Sequence, residues 1–130
     1  MARSTDDIEL YLRSLERTFN RDGDTFVVAT GEVTAPIAIH VADTLALLRV
    51  DIGSAPQDDA RKLAVFRRLL ELNASDLVHG SYGLEGDEIV LAIGLPLENL
   101  DLNELGAALA DIDLALVRHV KPLRDLTKAT

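Results

Sequence analysis

At 130 residues the chain is long enough for one hydrophobic core and too short for two, so residues 1–130 read as a single domain. Hydrophobic residues make up 48% of it and the formal net charge is −9; the first excludes disorder, and the second gives a field that repels nucleic acid phosphates and anionic lipid. There is no cysteine, which excludes disulfides, thiol chemistry and cysteine-based zinc sites.

The opening residues, MARSTDDIEL, carry no apolar leader run, and no later run reaches membrane-spanning length, so a cytoplasmic protein is the expectation. Ser4-Thr5-Asp6-Asp7 is a helix start, with a hydroxyl to cap free amides and acids in the first turn. Ile8, Tyr11, Leu12, Leu15 and Phe19 follow at helical spacing, Leu10 points the other way, and residues 20–24 end the helix. Three strands are predicted next. Thr25–Thr30 is rich in β-branched and aromatic residues, and Gly31-Glu32 can turn the chain. Ile37, Ile39 and Val41 alternate with Ala38, His40 and Ala42. Asp43-Thr44 turns into the apolar run Leu45–Ile52, and the short connections predict antiparallel neighbours.

Residues 53–56 read as a loop, and Asp58 as the cap of a second helix. That helix has two apolar faces, one with Leu63, Phe66 and Leu70 and the other with Val65, Leu69 and Leu72. Packing on one sheet needs only one of them. The second is buried either against another copy of the chain or under another part of the same chain. A hairpin follows, with Val78, Gly80, Tyr82 and Leu84 on one side of its first strand and Ile89, Leu91, Ile93 and Leu95 on its second. Gly86 sits in the turn, where positive φ is needed. Pro96 breaks the strand, and Asp101–Glu104 has the pattern of a capping box. The last helix has a stripe of Leu102, Leu105, Leu109, Ile112, Leu116 and Leu123, with Leu114 looking outward, and Pro122 should end or kink it. The fold class is α+β, in the order α-β-β-β-α-β-β-α.

No residue set announces a reaction. His40, His79 and His119 form no HExxH or similar pair, so ordinary strand or surface histidines are expected and no metal site is. The Gly80, Gly83, Gly86 series runs through a hairpin rather than opening a helix, so it is no phosphate loop. Asp113 borders the last helix's apolar stripe and either pairs with Arg118 or Lys121 or reaches water. No serine has a nucleophile-elbow context. Catalysis and cofactors are not expected.

Three stretches of the second half, LLELNA (69–74), HGSYGLEGDEIVL (79–91) and LPLENLDLNEL (95–105), are similar to the pattern of the type III secretion chaperone-like superfamily, which includes the Tir chaperone (CesT-like) and YbjN-type proteins. The correspondence is a Leu-Leu-x-x-Asn helix end at Leu69–Asn73, a glycine-containing hairpin at Gly80–Gly86, an apolar strand at Ile89–Ile93 and Leu-Pro-Leu-x-x-Leu-Asp at Leu95–Asp101. The resemblance implies a small acidic homodimer with a twisted antiparallel sheet, which holds an extended segment of a partner protein without ATP. It places partner binding on Leu10, Tyr11, Phe26, Val28, Ile37 and Ile39, although Tyr11, Phe26 and the two isoleucines equally suit a core. It places dimerisation on Val65, Leu69 and Leu72. The YbjN branch implies instead a regulatory or structural protein with no unfolded client.

Overall fold

The computed structural model describes residues 4–31 and 35–127. In chain order it has α1 (Thr5–Ser14), β1 (Phe19–Asp22), β2 (Thr25–Val28), β3 (Ile37–Ala42), β4 (Leu45–Ser54), α2 (Asp59–Ser75), β5 (Ser81–Glu85), β6 (Glu88–Pro96) and α3 (Leu102–Thr127). The class is α+β and the predicted elements follow in their predicted order, with one strand added. That strand is β1, which the helical spacing of Phe19 had assigned to the first helix.

The added strand has a local cause. Ser4 caps α1 reciprocally with Asp7, but four turns of helix never form. Glu16 takes the left-handed conformation at φ 59°, and the Arg17 N–H reaches back to the Leu12 carbonyl at 3.0 Å. The chain therefore leaves the helix axis before Phe19. Asp22 and Thr25 then face each other across a two-residue turn whose Gly23 has φ 63°, a conformation that costs a glycine little.

All six strands form one antiparallel sheet in the order β1-β2-β3-β4-β6-β5. Register carries one row, Phe26–Ile39–Leu48–Ile93, across four strands, and a second, Val50–Leu91–Tyr82, across three. These residues share one core with Ile8 and Leu12 of α1, Val65, Leu69 and Leu72 of α2, and Leu105, Leu109, Ile112 and Leu116 of α3. The helices thus cover a single face of the sheet. Residues on alternate positions of the same strands face away from that core.

Three further boundaries differ from those predicted. β4 runs on through Gly53 and Ser54, with a register shift between Asp51 and Gly53 that leaves Ile52 without a register partner. β5 begins at Ser81, leaving Val78 outside the sheet and exposed. α3 continues past Pro122 because Leu123 is buried and Leu126 packs on the core, so tertiary packing outweighs the proline's missing N–H. Asp113 pairs with neither Arg118 nor Lys121: its Oδ2 accepts from Arg17 Nη2 at 2.6 Å, tying α3 to the chain just after α1. The predicted turn at Gly31-Glu32 lies partly outside the described residues, as does the end of the predicted tail.

Candidate binding surfaces

The residues that the resemblance assigned to partner binding divide sharply. Phe26, Val28, Ile37 and Ile39 are fully buried in the core, and Tyr11 is half-buried with its hydroxyl donating to the Leu100 carbonyl at 3.2 Å. Only Leu10 stands in solvent. The four strand residues alternate onto the helix-covered side of the sheet, so none of them can present a groove.

The candidate dimer residues need a matching correction. Val65, Leu69 and Leu72 are sealed inside the subunit, while Leu63 and Leu70 on the opposite side of α2 are 71% and 69% exposed. On the face that turns away from the core Leu63 and Leu70 stand in solvent, with Phe66 half-buried between them. Leu84 of β5 adds to it: Phe66, Leu70 and Leu84, with Asn73 and Tyr82, line a shallow apolar groove between α2 and the sheet edge.

Asn73 shapes that edge. Its Nδ2 donates to the Tyr82 carbonyl at 3.2 Å, and the Tyr82 N–H donates to its Oδ1 at 2.7 Å. One carboxamide thereby takes the place of a neighbouring strand's backbone and closes this point of the β5 edge to strand addition. Replacing Asn73 with Ala leaves both backbone groups of Tyr82 without these partners. The expected cost is about 1–3 kcal/mol of unfolding free energy, measured by urea denaturation, with faster hydrogen exchange at the Tyr82 amide.

Beneath the groove lies a buried polar network that the histidine spacing did not reveal. His119 of α3, only 4% exposed, has Nδ1 2.8 Å from the Tyr82 hydroxyl and Nε2 3.1 Å from Asp76 Oδ2 at the C-cap of α2. Burial pushes the Tyr82 phenol well above its usual pKa, helped by the Asp76 and Asp111 carboxylates, so the hydroxyl keeps its proton. Hydrogen bonds from His119 and Ser75 hold the Asp76 carboxyl below its ordinary value. In the neutral ring, then, Nδ1 accepts from the phenol and Nε2–H donates to the carboxylate. The network joins α2, β5 and α3 behind the groove. Among the described residues no three His, Cys, Asp or Glu side chains gather as a metal site.

The second bare surface is the uncovered face of the sheet. Register places Asn20–Val27–Ala38–Arg49–Ala92–Ser81 in one outward row and Thr25–His40–Leu47–Gly94 in the next, followed by Ala42–Leu45–Pro96. Val27, Leu47 and Leu45 are 45%, 44% and 40% exposed. Their register neighbours mix the small Ala38, Ala42 and Gly94 with Asn20 and His40, so the face is shallow and only partly apolar. Arg49 is the one cation in these rows, and it is engaged by Asp51 and Glu85.

The family model CesT_Tir_1 matches residues 1–129. The chain belongs to this family. No functionally curated protein matches it. Among solved structures it resembles a chain of the heterodimeric ExoU–SpcU complex from the type III secretion system of Pseudomonas aeruginosa, at 19% identity and a TM-score of 0.71 over 89% of this chain and 96% of that one. It resembles E. coli YbjN, a proposed transcription regulator, at 13% identity and a TM-score of 0.71 over 100% and 99%. The Yersinia pestis type III secretion chaperone SycH, in complex with a stable fragment of YscM2, aligns at 12% identity and a TM-score of 0.61 over 92% and 98%. These likenesses establish a shared fold.

Proposed function

We propose that the protein is a non-catalytic, cytoplasmic, chaperone-like homodimer that holds an extended segment of a partner protein. The observation that carries this reading is the bare sheet face. Three large aliphatic side chains stay in water there although the three helices among the described residues pack on the other side. Exposed apolar surface of this kind marks an interaction site. The fold relatives ExoU–SpcU and SycH come from structures of one protein held with another, which supports a protein partner for this chain too.

The dimer contact is the α2–β5 face, with Leu63, Phe66, Leu70 and Leu84 meeting their copies about a two-fold axis. The resemblance's own choice, Val65, Leu69 and Leu72, is taken up by the core. Sedimentation equilibrium tests the dimer: the wild-type chain runs at twice its monomer mass, and the double change Leu63→Asp with Leu70→Asp gives a folded monomer with unaltered far-ultraviolet dichroism. A monomeric wild type at about 100 μM removes the dimer.

The end-to-end likeness to YbjN favours a second reading, a regulatory or structural protein without an unfolded client. Under that reading the sheet face stays bare and binds no extended peptide.

A further inference from the structure

The outer face of α3 is left uncovered by the described residues. Its inner stripe, with Leu105, Leu109, Ile112 and Leu116, is buried, while Ala107, Ala110, Leu114 and Val117 on the other side are all exposed. Leu114 is 47% and Val117 81% exposed. The four recur at intervals of three, four and three residues, the heptad spacing with which one helix meets another along a seam. Alanine at two of the four positions lets a second helix approach to about 8 Å, the short end of the range for packed helices. Asn103 and Lys121 continue the spacing at either end.

The charges along α3 are segregated. Asp101 and Glu104 stand at its start, and Arg118, Lys121 and Arg124 towards its end. Glu104, Asp111 and Arg118, spaced by heptads, share one flank of the seam. Asp111 is turned inward: its Oδ2 accepts from the His79 N–H at 3.1 Å, and its side chain is only 12% exposed. Glu104 and Arg118 are exposed, and among the described residues neither is held in an ion pair, whereas Lys121 is engaged by Asp125 of its own helix.

This arrangement is complementary to itself in one direction. A two-fold axis beside Asp111, perpendicular to α3, sets the helix antiparallel to its copy and keeps each flank against the same flank. Glu104 then meets Arg118 of the copy, once on each side of the axis, and Leu114 and Val117 settle over Ala107 and Ala110 of the copy. A parallel pairing would set Glu104 against Glu104 and Arg118 against Arg118, which charge repulsion disfavours.

We propose that the outer face of α3 binds the same face of a second copy of the chain, antiparallel about a two-fold axis beside Ala110 and Asp111. The contact is weak, because its seam is short and half alanine. It is separate from the α2–β5 contact and does not rest on the segment-holding reading. Where both contacts form, this one links dimer to dimer.

The test is disulfide trapping in the whole chain, which has no cysteine of its own. A disulfide needs Cβ atoms about 3.5–4.5 Å apart. Position 110 lies beside the axis and meets itself, whereas position 107 and its copy stand roughly 12 Å apart along the helix. Under mild oxidation Ala110→Cys is expected to form a covalent dimer about tenfold faster than Ala107→Cys, read on a non-reducing gel. Glu104→Arg and Arg118→Glu should each slow trapping at position 110 several-fold, and the two changes together should restore it. The same measurements are made with Leu63→Asp and Leu70→Asp present, and far-ultraviolet dichroism checks the fold of every variant. Trapping that survives there supports the α3 contact even where the α2–β5 dimer fails. Trapping lost there overturns it, because the α2–β5 contact then accounts for the encounter. Equal trapping at 107 and 110, or single charge changes that the double change does not repair, overturns the antiparallel pairing. No trapping at 110 overturns the second copy as occupant and leaves the seam to a helix of another protein.

Discussion

Phe26→Ala lowers the free energy of unfolding by about 3–5 kcal/mol, a large part of the stability of a domain this size. The ring is fully buried. It packs against Phe19 with centroids 5.9 Å apart at 61°, and the Arg21 guanidinium lies 5.5 Å from its centroid. Its strand neighbour in register is Ile39, also fully buried. Truncation removes an aromatic side chain from a site where β1, β2 and β3 all contribute walls, so the void cannot collapse by moving one side chain. Val27→Ala, one residue along, shortens a side chain on the bare face and should change stability by no more than about 0.5 kcal/mol. Urea denaturation of the two variants therefore separates the sides of the sheet. A loss below about 1 kcal/mol for Phe26→Ala would return that residue to the list of surface candidates.

The same contrast explains what could be read from the residues and what could not. Alternation in Ile37–Ala42 and Ile89–Leu95, the Asp58 cap and the Gly86 turn are local signals, and each appears where its chemistry requires. The side of the sheet that the helices cover is not local. Leu45–Ile52 is nearly all apolar, so its pattern is compatible with burial on either face or on both. Only the packing of α1, α2 and α3 makes Leu48 core and Leu47 surface. The two stripes of α2 pose the same problem in helical form, because spacing resolves the faces without saying which one meets the sheet. Phe19 continues the helical period of α1 and was claimed by it, until the left-handed Glu16 turned the chain. His119 was in principle legible. It lies three residues after Leu116 and four before Leu123, on the buried stripe of the last helix, where a lone histidine has no neighbouring ligand or base to mark it.

His119→Leu is expected to destabilise the fold by about 1–3 kcal/mol, chiefly through the Tyr82 hydroxyl, which loses its acceptor inside the core. Tyr82→Phe should cost a comparable amount by leaving Nδ1 unpaired. Their combination should cost less than the sum, because the double variant buries two apolar groups with no orphaned polar atom between them, and a double-mutant cycle reads the difference directly. Strict additivity would mean that the 2.8 Å contact contributes nothing in solution. Acid provides an independent measure of the other arm. The folded pKa of Asp76 is lowered, with its hydrogen bond to His119 the largest cause, so its stabilising effect is complete above the ordinary carboxylate value near pH 4 and is lost as pH falls through the lowered folded value. Asp76→Asn should remove that component of the acid transition and flatten the stability profile below about pH 4. If wild type and Asp76→Asn lose stability in parallel down to about pH 2, the carboxylate is not coupled to His119, and the latch behind the α2–β5 face rests on Tyr82 alone.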